Sequence, residues 1–406
     1  MRQSIDLRSA GVHLTTRRRC PADPAPHGGN RPPDIGLTER PHPRPESPLG
    51  RWVVRSQFRR HQSRRAVPRV TALPRSGTAL LDTLEVDPMR IVRADAAEVA
   101  ARLGLFGGGA VLVTDADGPL GAYVVAVLEA LGVRVVTAAH HGGALLLPSD
   151  EIGHVVHLGP LSGRDAFGRD PAGTLGASMT VLGQLLDHAR AHGAHLTFVS
   201  AADGGQRLDL ANPSTFYPAA ERVAEAMCAS YRDQYGVASS IVRLAHVYGP
   251  AFDVDVDGAG AWIEFVRNAV AGETVVVRTT DSRRLPWTYV ADAAEAVLRT
   301  ALTGADRQAT VAFQAVDDRF RSDIRAFARA ALRSSGRPPA IVNRITGSDR
   351  AVTEEGLSLE YGNPPRPPGW RPHTDLDDGI GRTVRWYEDA LAAAQADLES
   401  VTGTEG

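Results

Sequence analysis

The sequence predicts an α/β fold built on a doubly wound parallel sheet. Short β-branched segments alternate with segments of helical apolar spacing, and a glycine-containing turn joins the first strand to its helix. The chain has 406 residues, of which 43% are hydrophobic, enough for one large domain or two smaller ones. Alternating strands and helices cover both faces of a parallel sheet and place ligands at the carboxyl ends of its strands.

The strands and helices are predicted in order from Ile91 onward. AVLVT (110–114) is typical of a strand buried in a parallel sheet, and GAYVVAVLEALG (121–132) has helical apolar spacing and ends at a glycine. The predicted strands are 110–114, 133–137, 154–158, 195–200 and 238–244. The predicted helices are 95–106, 121–132, 174–193 and 217–236, and a helix followed by a strand is predicted over 262–278.

Residues 1–88 differ from the rest of the chain, because proline and arginine dominate and apolar periodicity is weak. Such a segment has too little apolar surface to offset the entropy of ordering. We therefore predict a disordered extension and not an arginine-rich contact with nucleic acid. No continuous apolar segment follows the charges, so an export signal is not expected. A start of the native protein at Met89 is the alternative.

The charge and the cysteine content exclude several classes of protein. A net charge of −2 and a pI near 6.7 give no reason to expect nucleic acid or an anionic membrane as partner. No apolar run reaches the roughly 18 residues of a membrane-spanning helix. The two cysteines, Cys20 and Cys228, fit no disulfide framework or metal site, so we expect a cytoplasmic protein with reduced thiols. All 45 basic residues are arginines, so no lysine of this chain can serve a mechanism.

The turn after the first predicted strand has the glycine spacing of a phosphate-binding loop. Gly118 and Gly121 occupy the second and third glycine positions of a G-x-x-G-x-x-G pattern, and Asp115 occupies the first. Glycines let the backbone approach a pyrophosphate at the positive end of the following helix. A strand–helix turn that merely needs glycine is the alternative. The predicted cofactor-binding residues are Thr114, Asp115, Gly118, Pro119, Leu120 and Gly121.

The end of the second predicted strand leaves the cofactor open between NAD and NADP. An acid at this point usually binds the ribose of NAD, and a nearby arginine the extra phosphate of NADP. Here the strand ends in Thr-Ala-Ala-His-His (137–141), with neither. The paired histidines are predicted to be loop residues and not metal ligands, because no cysteine or carboxylate is spaced to complete a site.

Six further segments occur in an order that is informative as a set. They are VVHLGP (155–160), LTFVSAAD (196–203), YPAAERVAE (217–225), IVRLAHVYGP (241–250), RRLPWTYVADAAEAV (283–297) and GWRPHTDLDDGIGRTVRWY (369–387). Together they resemble the extended short-chain dehydrogenase/reductase family, the nucleotide-sugar epimerase, dehydratase and ketoreductase group. The resemblance implies a Rossmann-type dinucleotide-binding domain over 89–250, a smaller substrate domain over 251–390 interleaved with returning Rossmann elements, and a flexible tail over 391–406.

The resemblance also implies catalytic residues. Tyr217 stands where the family has its general acid or base, but Glu221 replaces the lysine one helical turn later. A carboxylate there is expected to raise the pKa of a nearby tyrosine, whereas a lysine would lower it. The hydroxyl position falls on Ala201 or Ala202, and Ser200 just before it should point in another direction. The predicted catalytic residues are Tyr217, Ser200 and Glu221, with an ordinary aromatic residue at a helix start as the alternative for Tyr217.

On the substrate side, the resemblance implies that the helix and strand over 262–278 bind the base and ribose of a nucleotide diphosphate. Arg283 and Arg284 stand near the family arginine that pairs with the diphosphate, although a one-residue shift is needed, and a solvated basic turn is the alternative. Tyr248 and Trp287 are predicted to be core residues.

Three functional hypotheses follow. The first is an NAD(P)-dependent enzyme that acts on a nucleotide-activated sugar by hydride transfer, with Tyr217 as proton carrier. The second is a noncatalytic relative that binds a nucleotide or a partner, favoured by Asp115, Glu221 and the missing hydroxyl. The third is a redox-sensing regulator that binds the dinucleotide without turnover. The resemblance further implies a homodimer paired through the two long helices that begin near Thr174 and Tyr217.

Overall fold

The computed structural model describes residues 87, 89–104, 106–107, 109–141, 144–147, 151–159, 167, 169–202, 216–252, 261–277, 284–303, 311–336, 341–343 and 364–402. The chain divides into two compact units, Met1–Arg64 and Arg65–Gly406, and every described residue belongs to the second. The predicted disordered extension, including Cys20, therefore lies outside the described residues except for Asp87.

A six-stranded parallel sheet forms the core of the described unit. The strands are β1 (Ala110–Val113), β2 (Val135–Thr137), β3 (Ala139–His141), β4 (Ala144–Leu146), β5 (Ile152–His157), β6 (His195–Ala201), β7 (Ser239–Leu244), β8 (His246–Tyr248), β9 (Val275–Val277), β10 (Leu285–Tyr289), β11 (Val311–Ala315), β12 (Arg321–Ser322) and β13 (Ile341–Asn343). The large sheet has the order β2-β1-β5-β6-β7-β11, and all of its neighbouring pairs are parallel.

The described α-helices are α1 (Met89–Leu103), α2 (Pro119–Ala130), α3 (Pro171–His192), α4 (Phe216–Tyr235), α5 (Ala261–Ala271), α6 (Val290–Thr303), α7 (Ile324–Ser334) and α8 (Leu376–Thr402). Helices α2 and α6 cover one face of this sheet, and α3 and α4 cover the other. Alternate residues of β1 join opposite cores: Val111 and Val113 pack with residues of α2 and α6, whereas Ala110 and Leu112 pack with residues of α3 and α4. The Rossmann-type α/β prediction is confirmed, and the apolar run of β1 is explained by burial on two sides.

Three small sheets complete the described strands. β8, β10 and β12 form one, β9 pairs with β13, and β3 pairs with β4 in an antiparallel hairpin. The prediction that His140 and His141 lie in a loop is wrong, because both belong to β3. The antiparallel register pairs His141 with Ala144, the first residue of β4.

The predicted elements agree with the observed ones, with two notable differences in extent. Helix α1 begins at Met89 and not at residue 95, because the Asp87 carboxylate accepts a hydrogen bond from the Met89 amide at 2.9 Å and caps the helix. Helix α8 continues through the segment expected to be a flexible tail and ends at Thr402. Alanine and leucine, both strong helix formers, dominate that stretch. Within the described residues, no helix is long and apolar enough to cross a membrane.

A buried acid joins the helix before β1 to the C-terminal helix. Asp95 on α1 is 2% exposed and accepts hydrogen bonds from the hydroxyls of Tyr123, at 3.0 Å, and Tyr289, at 2.6 Å. Arg382 on α8 donates to its other oxygen at 2.5 Å. The folded unit therefore includes α1, because removing it would take the acceptor from two buried tyrosine hydroxyls and one of the carboxylate partners from Arg382, which also pairs with Asp378 at 3.0 Å.

Candidate active site

The ligand crevice of such a sheet lies where the strand order reverses, here between β1 and β5. At their carboxyl ends, Thr114 Oγ1 and His157 Nδ1 are joined by a 2.8 Å hydrogen bond, and both residues are buried. The Thr114 amide also donates to the Val156 carbonyl at 3.1 Å, and its hydroxyl accepts from the Leu158 amide at 3.4 Å. These hydrogen bonds fix Thr114 at the carboxyl end of β1, where the predicted phosphate loop begins.

The loop from Asp115 to Gly121 forms a tight turn that enters α2 directly. The Gly118 amide donates to the Asp115 carbonyl at 3.0 Å, and Gly118 caps the helix with Pro119 as its first residue. A Cβ on Gly121 would overlap the Asp115 carbonyl oxygen and lie 2.7 Å from the Ala116 Cα, so only glycine fits there. The strand, turn and helix thus have the arrangement that a pyrophosphate-binding loop requires.

Asp115 differs from the usual loop residue, because a carboxylate side chain stands where the pattern has glycine. Its φ of 52° is in the left-handed region where glycine is favoured, and the carboxylate lies beside Gly118, with Oδ2 2.8 Å from where a Cβ on that glycine would stand. The residue is exposed to solvent, yet protein atoms crowd its carboxylate. This crowding, together with the negative charge of Asp117, raises the pKa of Asp115 to about 6.

In the part of the chain that the structure describes, the end of β2 carries neither the acid typical of NAD-binding sites nor the arginine typical of NADP-binding sites. Strand β2 ends at Thr137, which is exposed, and the β3–β4 hairpin begins two residues later. A dinucleotide therefore fits the backbone of the loop, whereas the end of β2 offers no carboxylate or guanidinium to its adenosine ribose.

A second feature borders the crevice, a mostly apolar cavity between α3, α4, β5 and β6 that also contains three polar side chains. It encloses about 250 Å³ of empty space, part of it open to solvent, and its lining residues are His157, Ser178, Met179, Leu182, Phe198, Ala220, Glu221 and Ala224. Glu221 is 2% exposed. The buried Ser178 hydroxyl also lines the cavity and has no hydrogen-bond partner among the described atoms. His157 lines this cavity and also hydrogen-bonds Thr114. It therefore lies between the phosphate loop and Glu221, the residue at the family's lysine position.

Tyr217 lies in the first turn of α4, one helical turn before Glu221. It is half-buried, and its ring meets the buried Phe167 in an edge-to-face contact with centroids 5.6 Å apart. Residues four apart lie on the same helix face, which places Tyr217 on the same side of α4 as the buried Glu221. The catalytic role of Tyr217 stays a prediction.

The Ser200 hydroxyl is directed to a different partner. It donates to the Glu225 carboxylate at 2.7 Å, and the same carboxylate accepts from Arg243 Nε at 2.8 Å. A second Arg243 nitrogen bonds the other Glu225 oxygen at 2.5 Å, so the pair is bidentate. Ser200 therefore joins β6 to α4 and β7 through Glu225, and its predicted catalytic role gains no support from this contact.

On the substrate side, Arg283 lies outside the described residues, and Arg284 directly precedes β10. The exposed Arg284 guanidinium donates to the Arg321 carbonyl at 2.6 and 3.2 Å, and Arg321 donates back to the Arg284 carbonyl at 3.2 Å. The predicted core roles of Tyr248 and Trp287 are confirmed, since they are 1% and 6% exposed within an aromatic cluster.

Sequence reasoning missed His157, Ser178 and Glu225 as parts of the site. His157 belongs to a predicted strand, and side chains alternate between the two faces of a strand. This alternation was the one sequence signal that could have placed His157 on the α3–α4 side of the sheet. Ser178 lies in a helix whose apolar spacing dominates the signal. Their roles depend on contacts between residues far apart in the chain, such as the 43-residue separation of Thr114 and His157.

Comparisons with known proteins agree with this geometry. Residues 111–312 match the model of the NAD dependent epimerase/dehydratase family. The chain is 22% identical over 284 residues to a probable UDP-glucuronate 4-epimerase of Rhizobium meliloti, covering 63% of this chain and 82% of that protein. It is 25% identical over 268 residues to a dTDP-glucose 4,6-dehydratase of Mycolicibacterium smegmatis, covering 62% and 76% respectively.

A solved structure shares the fold at low sequence identity. The UDP-glucose 4-epimerase of Thermus thermophilus, in complex with NAD, superposes with a TM-score of 0.52 at 22% identity, covering 68% of this chain and 98% of that chain.

Proposed function

The chain belongs to the NAD dependent epimerase/dehydratase family, within the extended short-chain dehydrogenases/reductases, and from this we propose that it is an NAD-dependent oxidoreductase acting on a nucleotide-activated sugar. The observation that carries the proposal is the turn from Asp115 to Gly121 at the strand-order reversal, where only glycine fits at 121. The relatives named as UDP-glucuronate epimerase and dTDP-glucose dehydratase support a nucleoside-diphosphate sugar as substrate class.

The cofactor fits the loop through backbone groups. The amides at the start of α2, around Leu120 and Gly121, would hold the pyrophosphate, because the first amides of a helix have no partner within the helix. When bound, the nicotinamide supplies reversible hydride transfer at a sugar carbon. NAD is proposed over NADP on the family match, since Thr137 ends β2 without an arginine.

Tyr217 is the proposed proton carrier for the sugar oxygen. It has the right chemistry, and the helix places it one turn from the cavity residue Glu221. Because the chain has no lysine, the positioning of Tyr217 and the cofactor ribose must be done by other groups. Glu221 and His157, which line one cavity, are the proposed substitutes.

The substrate diphosphate is proposed to bind beside Arg284 and Arg283. Arg284 uses two of its nitrogens on the Arg321 carbonyl and remains exposed, so its outer edge is available to a phosphate. A homodimer through α3 and α4 is also proposed, supported by Leu175 and Val223, which are 37% and 51% exposed on these helices. A cytoplasmic location stays a prediction.

The test has two stages on the full chain. Calorimetric titration with NAD⁺, NADH, NADP⁺ and NADPH measures cofactor affinity, and a panel of UDP- and dTDP-sugars measures turnover. Tyr217→Phe is expected to abolish turnover and to leave cofactor affinity within about twofold. Tyr235→Phe, at the far end of the same helix and 41% exposed, is the matched control and should change neither.

Each outcome has a separate meaning. Failure to bind any of the four cofactor forms at millimolar concentration would overturn the enzyme and sensor hypotheses together. Binding without turnover on the whole panel would favour the noncatalytic relative. Full turnover by the Tyr217→Phe variant would eliminate this tyrosine as the proton carrier.

A further inference from the structure

Asp115 is held at a fixed place in the phosphate loop. Strand β1 is buried, the Gly118 amide donates to the Asp115 carbonyl at 3.0 Å, and α2 begins at Pro119. The Asp115 carbonyl oxygen also fills the space that a side chain on Gly121 would need. The loop backbone therefore has little freedom to carry this residue away from a bound ligand.

The Asp115 carboxylate lies at the end of α2 that attracts anions. Its Oδ2 is 2.8 Å from the Cβ position of Gly118, which is the N-cap of the helix. Within the described part of the chain, no donor hydrogen-bonds this carboxylate. A ligand phosphate and an ionised Asp115 would thus place two like charges at one helix end.

We propose that Asp115 makes dinucleotide binding proton-linked: the pyrophosphate binds when the Asp115 carboxyl group is protonated and donates a hydrogen bond to a phosphate oxygen, and the ionised carboxylate opposes binding. This inference rests on the proposed function, because it concerns the same cofactor loop. Under this proposal, Asp115 determines the affinity for the cofactor, and the loop takes up one proton when it binds the anionic pyrophosphate.

The surroundings of Asp115 make the neutral form accessible. Crowding by protein atoms and the charge of Asp117 raise its pKa to about 6. Helix α2 adds no acidic side chain in its first turn, and on β5 the nearest titratable neighbour is His157, which hydrogen-bonds the adjacent Thr114. Because binding of an anion beside the carboxylate favours its protonated form, the pKa should rise further in the complex.

The size of the effect follows from the protonated fraction. A group with a pKa of about 6 is about 90% protonated at pH 5 and about 1% protonated at pH 8. When only the protonated form binds, the apparent Kd is the intrinsic Kd divided by that fraction. Affinity should therefore fall about tenfold per pH unit above pH 6 and about a hundredfold between pH 5 and pH 8.

The experiment measures NAD⁺ affinity of the full chain by calorimetry between pH 5.5 and 8.5. NAD⁺ is the probe because, unlike NADP⁺, it has no phosphate monoester that titrates in this range. Asp115→Gly and Asp115→Asn remove the charge, and both residues tolerate a φ of 52°. Asp117→Asn is the matched control, since it removes a carboxylate two residues away. Thermal unfolding at each pH verifies that every variant is folded.

The expected result is a steep loss of wild-type affinity above pH 6, and tight, nearly pH-independent binding by both Asp115 variants. The Asp117→Asn variant should keep the pH dependence with its midpoint moved to lower pH. Measurable wild-type binding without pH dependence would overturn the inference while leaving the cofactor site intact. A pH dependence that persists in Asp115→Asn would also overturn it, by assigning the proton to another group. Absence of binding by every variant at every pH would instead overturn the proposed function.

Discussion

Gly121→Ala is predicted to deform the phosphate loop and to destabilise the fold. Its Cβ would lie 2.7 Å from the Ala116 Cα and closer still to the Asp115 carbonyl oxygen, whereas ordinary contacts begin near 3.4 Å. The Ala116 backbone would therefore retreat by about 0.7 Å, the difference between 3.4 and 2.7. Overpacking against atoms that cannot rotate away costs about 1–3 kcal/mol, and alanine returns at most about 1 kcal/mol of helix propensity.

We expect a net loss of about 2 kcal/mol in the free energy of unfolding, measured by urea denaturation, and at least a tenfold loss of NAD⁺ affinity at pH 6. Gly118→Ala is the matched control within the same loop. Its φ of −72° suits any residue, and its new Cβ would meet mainly the Asp115 side chain, which can rotate. It should cost less than about 1 kcal/mol. If Gly121→Ala and Gly118→Ala lowered the free energy of unfolding equally, overlap of the Cβ with the loop backbone would not be what restricts position 121.

Three further predictions concern stability and reactivity. Asp95→Ala should lower the free energy of unfolding by about 3–5 kcal/mol, because it removes the buried partner of Arg382 and the acceptor of two buried tyrosine hydroxyls. Glu98→Ala, whose side chain is 58% exposed and also contacts Arg382, should cost less than about 1 kcal/mol by the same denaturation assay. Without cofactor, Asp115→Asn should raise Tm slightly at pH 7.5, because it removes a carboxylate whose pKa in the folded chain, about 6, exceeds the ordinary value of 3.8. This gain in Tm should shrink as the pH falls through 6 and disappear below about pH 4. A gain that persists in acid would contradict the assignment. Burial raises the pKa of the Cys228 thiol to about 12, so in a Cys20→Ser variant, where Cys228 is the one thiol left, a thiol reagent at pH 8 should react only after unfolding. Rapid labelling of that folded variant would show that this core opens.

The order of strands and helices was predictable because each element carries its own periodic signal. The run AVLVT gave β1, and the glycine spacing of 115–121 located the turn that the structure confirms. The start of α1 was placed too late, because the cap at Asp87 precedes the apolar spacing that identifies a helix. The β3–β4 hairpin was missed because its strands have three residues each, too few for an alternating pattern to stand out.

The polar contacts of the site were less predictable, because they join distant parts of the chain. The sequence identified Ser200 as a hydroxyl beside the expected position and indicated that it points elsewhere, but could not identify Glu225 as its partner. Likewise, the departure at Glu221 was visible in the sequence, whereas the cavity that it shares with His157 and Ser178 was not. Local spacing identifies which residues are unusual; the packing of α3 and α4 against the sheet decides what they contact.

Glu221 offers the decisive comparison with Asp115, since both positions carry an acid where an anionic cofactor is proposed to bind. Glu221→Gln keeps the shape of a side chain that is 2% exposed and removes its charge, so folding should be retained. If the carboxylate only repels the cofactor, the glutamine variant should bind NAD⁺ about two- to tenfold more tightly, and the gain should multiply with that of Asp115→Gly in the double variant.

If Glu221 instead positions the cofactor ribose or Tyr217 in place of the missing lysine, Glu221→Gln should weaken cofactor binding or turnover even in the Asp115→Gly background. Glu221→Lys separates the two cases further. Higher activity of the Glu221→Lys variant would show that the site can still use a lysine at this position. Loss of activity in a variant whose Tm is unchanged would show that the Glu221 carboxylate itself is needed for activity. None of these substitutions alters a glycine that shapes the loop, so a difference between the variants reports on the two acids and not on the fold.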